Sequence, residues 1–162
     1  MGVHRTHRYD VAVSWTGNRG SGTSGYREYD RDHEVRAGER PVIAASSDPV
    51  FQGDPNRWNP ELELAAAASQ CHMLWYLHLC AEGGVVVTDY ADTPVGTMTM
   101  DATGGGGKFT DVILRPAVTV AEPSMADKAM ALHDEINAVC YIARSVNFPV
   151  RHQPTVRAAT GA

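Results

Sequence analysis

Apolar and polar residues alternate along three short stretches in the first third of the chain. Residues 9–15 have the period-two pattern of a half-buried strand, residues 26–35 alternate more weakly, and residues 41–46 are a short apolar run. The glycine-rich segment 16–25, between the first two stretches, is typical of a loop. The pattern therefore predicts three strands before residue 50.

One long apolar stretch, residues 59–80, then breaks the alternation and predicts a helix. Asn59 can cap this helix, and Pro60 suits its first position. Gly83 and Gly84 end it. A helix of about 23 residues is about 34 Å long. Because it is apolar nearly all round, we expect it to be buried on nearly all sides.

Three further strand-like runs follow this helix, at residues 85–92, 95–102 and 108–121. Residues 124–145 have the apolar spacing and the N-terminal capping residues of a second helix. The order is three strands, a helix, three strands and a helix, which predicts an α+β fold with antiparallel meanders. We expect a single domain over residues 1–162.

The charge and the N-terminus narrow the classes of function. A formal net charge of -5 and an isoelectric point near 5.7 argue against a nucleic-acid partner or an anionic membrane surface. The N-terminal segment has no apolar core of the kind that a secretory signal needs. Three cysteines are too few for a disulfide scaffold in a chain of 162 residues. We therefore expect a cytoplasmic protein with free thiols or a transient disulfide bridge.

The three cysteines lie in the two predicted helices. Cys80 follows Cys71 by nine positions, so their side chains point about 180° apart, and Cys80 is near the negative end of the helix dipole. We expect Cys80 to be a core residue. Cys71 and Cys140 could meet if their helices pack side by side, since a disulfide needs Cα atoms about 4.4 to 6.8 Å apart. The residues alone leave a redox pair and simple core packing both open.

Histidines accompany both of these cysteines at a spacing of seven residues. His78 follows Cys71 and His133 precedes Cys140, so each histidine shares a helix face with its cysteine at about two turns' distance. Ligands two turns apart on one helix do not close on a single ion, which argues against a metal site of His78, Cys71 and Cys140. We expect no metal and no other cofactor, and we assign no catalytic work to the histidines.

Three longer motifs carry a family resemblance: "TGNRGSGTSGYREY", "GDPNRWNPELELAAAASQCHMLWYLHL" and "CYIARSVNFPV". Together they resemble the OsmC/Ohr family of thiol peroxidases, and specifically its OsmC-like branch, over nearly the whole chain. The resemblance implies the βββαβββα OsmC-like fold. It also implies an intertwined homodimer, in which the long central helices of two chains lie together and pack against antiparallel sheets from both. Such a dimer would bury the apolar helix.

The resemblance also implies four site residues. Cys71 is similar to the peroxidatic cysteine and Cys140 to the resolving one, while Arg19 in the glycine-rich loop and Glu61 complete the site. A free cysteine has a pKa of about 8.5, so a guanidinium such as that of Arg19 is needed to favour the thiolate. Glu61 could hold Arg19 by a bidentate ion pair.

Helix geometry limits how Glu61 can act. Glu61 precedes Cys71 by ten residues, which on a straight helix is about 15 Å along the axis and about 80° around it. The two side chains cannot touch directly. Either the length of Arg19 bridges part of this gap, or Glu61 and Arg19 come from the partner chain. We favour the partner chain.

The implied reaction is the reduction of organic hydroperoxides to alcohols, in defence against oxidative and osmotic stress. Cys71 would form a sulfenic acid, and Cys140 would condense with it to a Cys71–Cys140 disulfide. A dithiol reductant, in the family typically a lipoylated protein, would restore both thiols. Two other interpretations stay open. One is a cysteine hydrolase, which needs a base beside its thiol, and the other is a non-catalytic dimeric ligand-binding or stress module in which both thiols are packing residues.

Overall fold

The computed structural model describes residues 5–159. Two compact units divide the chain between Glu63 and Leu64. A long helix, α1 (Pro60–Glu82), crosses this division. The expectation of a single domain over residues 1–162 stays a prediction.

The first unit is built on one antiparallel sheet. Its strands, in sheet order, are β1 (Ala12–Trp15), β2 (His33–Arg36) and β3 (Ile43–Ala45). Val35 in the central strand lies opposite Val13 on one side and Ile43 on the other. A 3-10 turn, Pro49–Phe51, follows the third strand. The prediction of three strands before residue 50 is confirmed.

Helix α1 begins and ends where its capping residues predict. Asn59 Oδ1 accepts a hydrogen bond from the backbone N–H of Leu62 at 2.8 Å, and Gly84 has a left-handed φ of 73° after the last turn. The buried side chains of the helix form a single stripe: Ala65, Ala68, His72, Tyr76 and Cys80. Leu74, off this stripe, is 62% exposed. The expectation of burial on nearly all sides is therefore wrong for a single chain.

Strands of the second unit form two sheets of three strands each. The strands are β4 (Val87–Ala91), β5 (Val95–Met100), β6 (Gly107–Leu114), β7 (Ala117–Val120), β8 (Val150–His152) and β9 (Thr155–Ala158). One sheet has the order β4-β7-β9 and the other β5-β6-β8. Antiparallel pairing joins β4 to β7 and β5 to β6. The C-terminal strands β8 and β9 add to β6 and β7 in parallel, so both sheets are mixed.

The apolar run 108–121 contains two strands, β6 and β7, in place of the single predicted strand. Pro116 lies between them and has no backbone N–H to donate to a sheet, so the chain leaves one sheet and enters the other. The carboxylate of Asp92 accepts the N–H of Arg115 at 2.6 Å and fixes this crossing.

The second helix is shorter than predicted. Helix α2 (Ala126–Leu132) continues into a 3-10 turn, His133–Ala138, and then into turns, so the expected helix over residues 124–145 is wrong in its C-terminal part. Apolar spacing does not distinguish an α-helix from a tighter turn of similar period. The N–H of Cys140 donates to the carbonyl of Ile136 at 2.8 Å, and both side chains are buried at this bend.

The main core of the second unit contains buried side chains from α1, β7, α2 and the turn after α2. Tyr76, Val120, Ile136 and Cys140 are among them. A smaller cluster brings Ala68 of the same helix against β6 and β8. The α+β fold class is confirmed, and α1 supplies side chains to both clusters.

Candidate active site

The structure brings Cys71 and Cys140 together. Cys71 lies in the middle of α1 and is partly buried, while Cys140 lies on the turn after Ala138 and is 1% exposed. The Cys71 side chain interacts with the Cys140 thiol and helps to raise its pKa. Both thiols are free. A disulfide between them requires this kind of proximity.

Burial keeps Cys140 protonated. Removal from water raises the pKa of the Cys140 thiol to about 11, and the hydrogen bond with Cys71 adds to the rise. The backbone N–H of Ala143, 3.4 Å from the Cys140 sulfur, acts in the opposite direction. At neutral pH Cys140 is therefore a thiol, which is a poor nucleophile toward a peroxide. The less buried Cys71 is the candidate for the first attack.

Apolar and aromatic side chains surround the thiol pair. Cys71, Trp75 and Ile142 pack against the buried cluster that contains Cys140. The Trp75 indole meets the ring of Tyr141 edge-on, with 5.7 Å between the ring centroids. Surroundings of this kind disfavour charged groups and suit alkyl groups.

Cys80 lies in the core, as its position on the helix predicts. It is 1% exposed and packs with Val118 and Val120 in the main cluster. Burial raises the pKa of the Cys80 thiol, and a hydrogen bond with Tyr76 opposes the rise. A buried, protonated thiol of this kind is unreactive.

Arg19 lies in the glycine-rich loop of the first unit. Its guanidinium donates to the backbone carbonyl of Arg27 and forms an ion pair with Asp30 at 3.6 Å. Asp30 also anchors the loop through its backbone, because its carbonyl accepts from the Trp15 indole at 2.8 Å and its N–H donates to Gly17 at 2.9 Å. The sequence assigns no role to Asp30, since no motif marks the partner of an arginine in a loop.

Glu61 is the second residue of α1, where the helix dipole favours a carboxylate. Its Oε2 atom is buried and has no hydrogen-bond partner among residues 5–159. Buried carboxylate oxygens usually have one. Arg19 and Glu61 belong to the first unit, and Cys71 and Cys140 belong to the second. The expected joint site of all four residues stays a prediction.

Two buried histidines lie in the segments that carry the cysteines, and sequence patterns alone assigned them no role. His72 directly follows Cys71, and its Nε2 atom lies 2.9 Å from Nδ1 of His133. Burial is the main cause that lowers the pKa of His72 to about 4 and that of His133 to about 3, and neighbouring imidazoles add to it. Both rings are therefore neutral at pH 7. The only sign of this contact in the sequence was the seven-residue spacing between His133 and Cys140. That spacing does not show that His133 contacts His72.

Two other kinds of site are not found in the described part of the chain. Residues 5–159 contain no group of three or more His, Cys, Asp or Glu side chains arranged to hold a metal ion. His78, considered above as a ligand, instead lies 3.5 Å from the carboxylate of Glu82 on the helix surface. Among the described helices, none has the length and apolar character needed to cross a membrane.

The class of the protein follows from comparison with known sequences. The OsmC-like protein family matches residues 53–154. This segment contains Glu61, Cys71 and Cys140. The chain therefore belongs to the OsmC-like family. No curated protein sequence matches it.

Solved structures agree with this assignment. An OsmC-like protein of unknown function from Vibrio cholerae has a TM-score of 0.80 and 26% identity, covering 93% of this chain and 100% of that protein. The organic hydroperoxide resistance protein OsmC from Legionella pneumophila has a TM-score of 0.65 and 17% identity, with 93% and 98% covered. An organic hydroperoxide resistance protein from Elizabethkingia anophelis has a TM-score of 0.64 and 15% identity, with 96% and 100% covered. The predicted OsmC-like fold is confirmed.

Proposed function

We propose that this protein is a thiol-dependent peroxidase that reduces organic hydroperoxides to alcohols in defence against oxidative and osmotic stress. The observation that carries the proposal is the hydrogen-bonded thiol pair of Cys71 and Cys140. Membership of the OsmC-like family supports it, as do the two similar structures named as organic hydroperoxide resistance proteins.

The first step is attack of the Cys71 thiolate on the O–O bond of the hydroperoxide. The sulfur bonds to one peroxide oxygen, the O–O bond breaks, and the other oxygen leaves as an alkoxide that takes up a proton. The sulfur loses two electrons and the peroxide gains them. Cys71 becomes a sulfenic acid and the alcohol is released.

The second step closes a disulfide. The Cys140 thiol gives up its proton as its sulfur attacks the Cys71 sulfur, the S–S bond forms, the S–O bond breaks, and the hydroxyl group leaves with that proton as water. The Cys71 side chain already interacts with the Cys140 thiol in the reduced protein. A dithiol reductant, in our proposal a lipoylated protein, then restores both thiols by thiol–disulfide exchange. No cofactor takes part.

Arg19 and Glu61 support the first step in this proposal. A permanent positive charge near a thiol favours its thiolate. Glu61, whose buried oxygen lacks a partner among the described residues, would hold the Arg19 guanidinium in place. The present ion pair of Arg19 with Asp30 is about half exposed and contributes little to stability. Moving the Arg19 guanidinium from Asp30 to Glu61 therefore costs little free energy.

We further propose that the protein acts as a homodimer in the cytoplasm, each copy forming one domain. Helix α1 buries a single stripe and leaves Leu74 62% exposed. In the first unit, strand β1 exposes Val13 at 66% and Trp15 at 45%. A second copy would cover such apolar surfaces. Arg19 and Glu61 of one copy would then serve Cys71 of the other.

Titration with two peroxides tests the proposal. Reduced protein is treated with one equivalent of cumene hydroperoxide or hydrogen peroxide, alkylated, and mapped for disulfides by mass spectrometry. We expect a Cys71–Cys140 link that forms faster with cumene hydroperoxide. Cys80→Ala is the matched control and should behave like the wild type, because the Cys80 thiol is buried and its side chain points about 180° away from that of Cys71 on α1.

The same experiment separates the alternatives. A non-catalytic module predicts no bridge, and no effect of Cys71→Ser or Cys140→Ser on its function. A cysteine hydrolase needs a base at Cys71, but consecutive residues on a helix do not face each other, and the adjacent His72 is directed toward His133. If cumene hydroperoxide leaves Cys71 and Cys140 unlinked, the peroxidase proposal fails.

A further inference from the structure

A hydrogen bond between two buried histidines joins the two segments that carry the cysteines. His72 Nε2 and His133 Nδ1 are 2.9 Å apart, and the ring planes differ by 10°. Both rings are neutral, so one nitrogen donates and the other accepts. His72 directly follows Cys71 in α1, and His133 begins the 3-10 turn that ends two residues before Cys140.

The 3-10 turn connects His133 to Cys140 through the backbone. The N–H of Cys140 donates to the carbonyl of Ile136 at 2.8 Å, and Ile136 lies in the same 3-10 turn as His133. The side chain of Ile136 is fully buried in the main core. A short and well-packed segment therefore connects the ring of His133 to the backbone of Cys140.

Tyr76 reinforces the contact one turn along α1. Its ring stacks on that of His133, with 4.0 Å between centroids and 12° between planes. Its hydroxyl donates to the carbonyl of Ala129 in α2 at 3.1 Å. The stripe of α1 that contains His72 and Tyr76 therefore holds both α2 and the following turn.

Packing alone does not account for the histidine pair. The outer ring nitrogens, Nδ1 of His72 and Nε2 of His133, are buried without a hydrogen-bond partner among residues 5–159. Each such atom is unfavourable by about 1–3 kcal/mol. Two apolar side chains of similar size would fill the space without this penalty. What they would lack is a directional link between α1 and the turn.

The surroundings keep the pair uncharged. The other titratable groups that face the pair come from α1, the loop after β4, the 3-10 turn and β8. They are Tyr76, Asp92, Asp134 and His152. The carboxylate of Asp134 is engaged by His152 at 3.1 Å. Desolvation outweighs the carboxylates and lowers the pKa of both His72 and His133. The link therefore persists as a neutral hydrogen bond at physiological pH.

We infer that the His72–His133 hydrogen bond positions Cys140 for disulfide closure. It holds the turn of Cys140 against α1, so that the Cys140 sulfur stays within reach after Cys71 has become a sulfenic acid. The inference rests on the proposed peroxidase function and adds a requirement to its second step only. The two histidines are positioning residues that act through the backbone.

Three variants test this role. His133→Phe removes the hydrogen bond and keeps a ring that can stack on Tyr76. His133→Asn is the conservative variant, because its amide can place a polar atom near the position of Nδ1. His78→Phe is the matched control, since His78 is on the same helix and its side chain is 54% exposed. Quenched reactions with one equivalent of cumene hydroperoxide measure Cys71 oxidation and disulfide formation as separate rates.

We expect His133→Phe to slow disulfide closure about tenfold, the effect of losing one buried hydrogen bond. The rate of Cys71 oxidation should stay within about twofold of the wild type, because no bond to Cys140 forms or breaks in the first step. His133→Asn should restore much of the closure rate, and His78→Phe should close at the wild-type rate. A merely structural role predicts equal slowing of both steps and no rescue by asparagine.

The outcomes show whether the inference alone fails or whether the proposed peroxidase function fails as well. If the wild type forms the disulfide and folded His133→Phe closes equally fast, the inference is wrong and the peroxidase proposal stands. If the wild type forms no Cys71–Cys140 disulfide, the peroxidase proposal itself fails. Should circular dichroism show that His133→Phe is unfolded, His72→Phe breaks the same bond from the helix side and is judged by the same rates.

Discussion

At the scale of single residues, burial decides which groups carry charge near the thiol pair. It raises the pKa of Cys140 and lowers the pKa of His72 and His133, so all three are neutral at pH 7. A neutral resolving thiol is spared by the peroxide, and a neutral imidazole can both donate and accept a hydrogen bond. The neutral Cys140 thiol therefore leaves the first attack to Cys71, and Cys140 must lose its proton when it attacks the Cys71 sulfenic acid in the second step.

Stability should fall as the pH drops below about 6.5. The pKa values of folded His72 and His133 are about 4 and about 3, below the ordinary value of 6.5. Between these limits the unfolded chain binds protons that the folded chain does not, so stability present above pH 6.5 is lost as the pH falls toward 4. Urea unfolding should give a free energy about 4 kcal/mol smaller at pH 5 than at pH 7.

His133→Phe should reduce this pH dependence to roughly half, because one of the two groups is gone. His78→Phe should keep the full difference, since its ring is on the surface. Equal stability of the wild type at pH 5 and pH 7 would contradict the assignment of both rings as buried and neutral.

Arg19→Ala should slow Cys71 oxidation by about 10- to 100-fold, because the charge that favours the thiolate is lost. Stopped-flow reduction of cumene hydroperoxide measures the rate. Asp30→Asn is the control, since it removes the carboxylate that pairs with Arg19 in the present structure and should not slow the reaction. A wild-type rate in Arg19→Ala would remove Arg19 from the site.

At the scale of elements, the loop between β1 and β2 depends on close backbone contact at its base. A Cβ atom on Gly17 would overlap the backbone carbonyl of Asp30. Gly17→Ala should therefore push the two sides of the loop apart and destabilise the fold by about 1–3 kcal/mol. It should also slow peroxide reduction, because Arg19 lies in this loop.

Gly105→Ala provides the comparison for this glycine, because the nearest atom to its added Cβ is 3.6 Å away in an open turn. Urea unfolding and the peroxide assay should leave this variant close to the wild type. Similar losses in both variants would show that the contact between Gly17 and Asp30 is not the cause.

Elements with local signals were predictable from the sequence, and elements that depend on distant partners were not. Helix α1 carries its own cap at Asn59, and its length and start were predicted. The end of the second helix was not, because the apolar spacing continues through the 3-10 turn to Cys140. Strands β8 and β9 have three and four residues, and their parallel pairing with β6 and β7 has no local signal.

The candidate site was likewise predictable from the sequence only in part. Family resemblance singled out Cys71 and Cys140, and helix geometry placed Cys80 elsewhere. The contact of His72 with His133 joins residues 61 positions apart, so nothing in the neighbourhood of either residue indicates it. It depends on how α1 packs against the turn after α2.

At the scale of the whole molecule, one chain leaves apolar surface that a second copy can cover, and the proposed dimer makes a specific prediction. If Arg19 of one copy serves Cys71 of the other, mixing inactive Cys71→Ser chains with the slowed Arg19→Ala chains should create one complete site in each mixed dimer. Random mixing then restores roughly a quarter of wild-type activity. Sedimentation velocity checks the dimer, and the peroxide assay checks the restored rate. Mixtures no more active than either parent would place Arg19 and Cys71 of the same chain in one site.

The edge contact between Trp75 and Tyr141 gives the molecule a built-in optical reporter. Trp75 lies four positions after Cys71 on α1, and Tyr141 is the residue after Cys140, with 5.7 Å between the rings. We expect bond formation between the sulfurs to change the distance or angle between the phenol and the indole. With Trp15 and Trp58 of the first unit replaced by Phe, emission from Trp75 alone would follow oxidation and re-reduction in real time without any added dye.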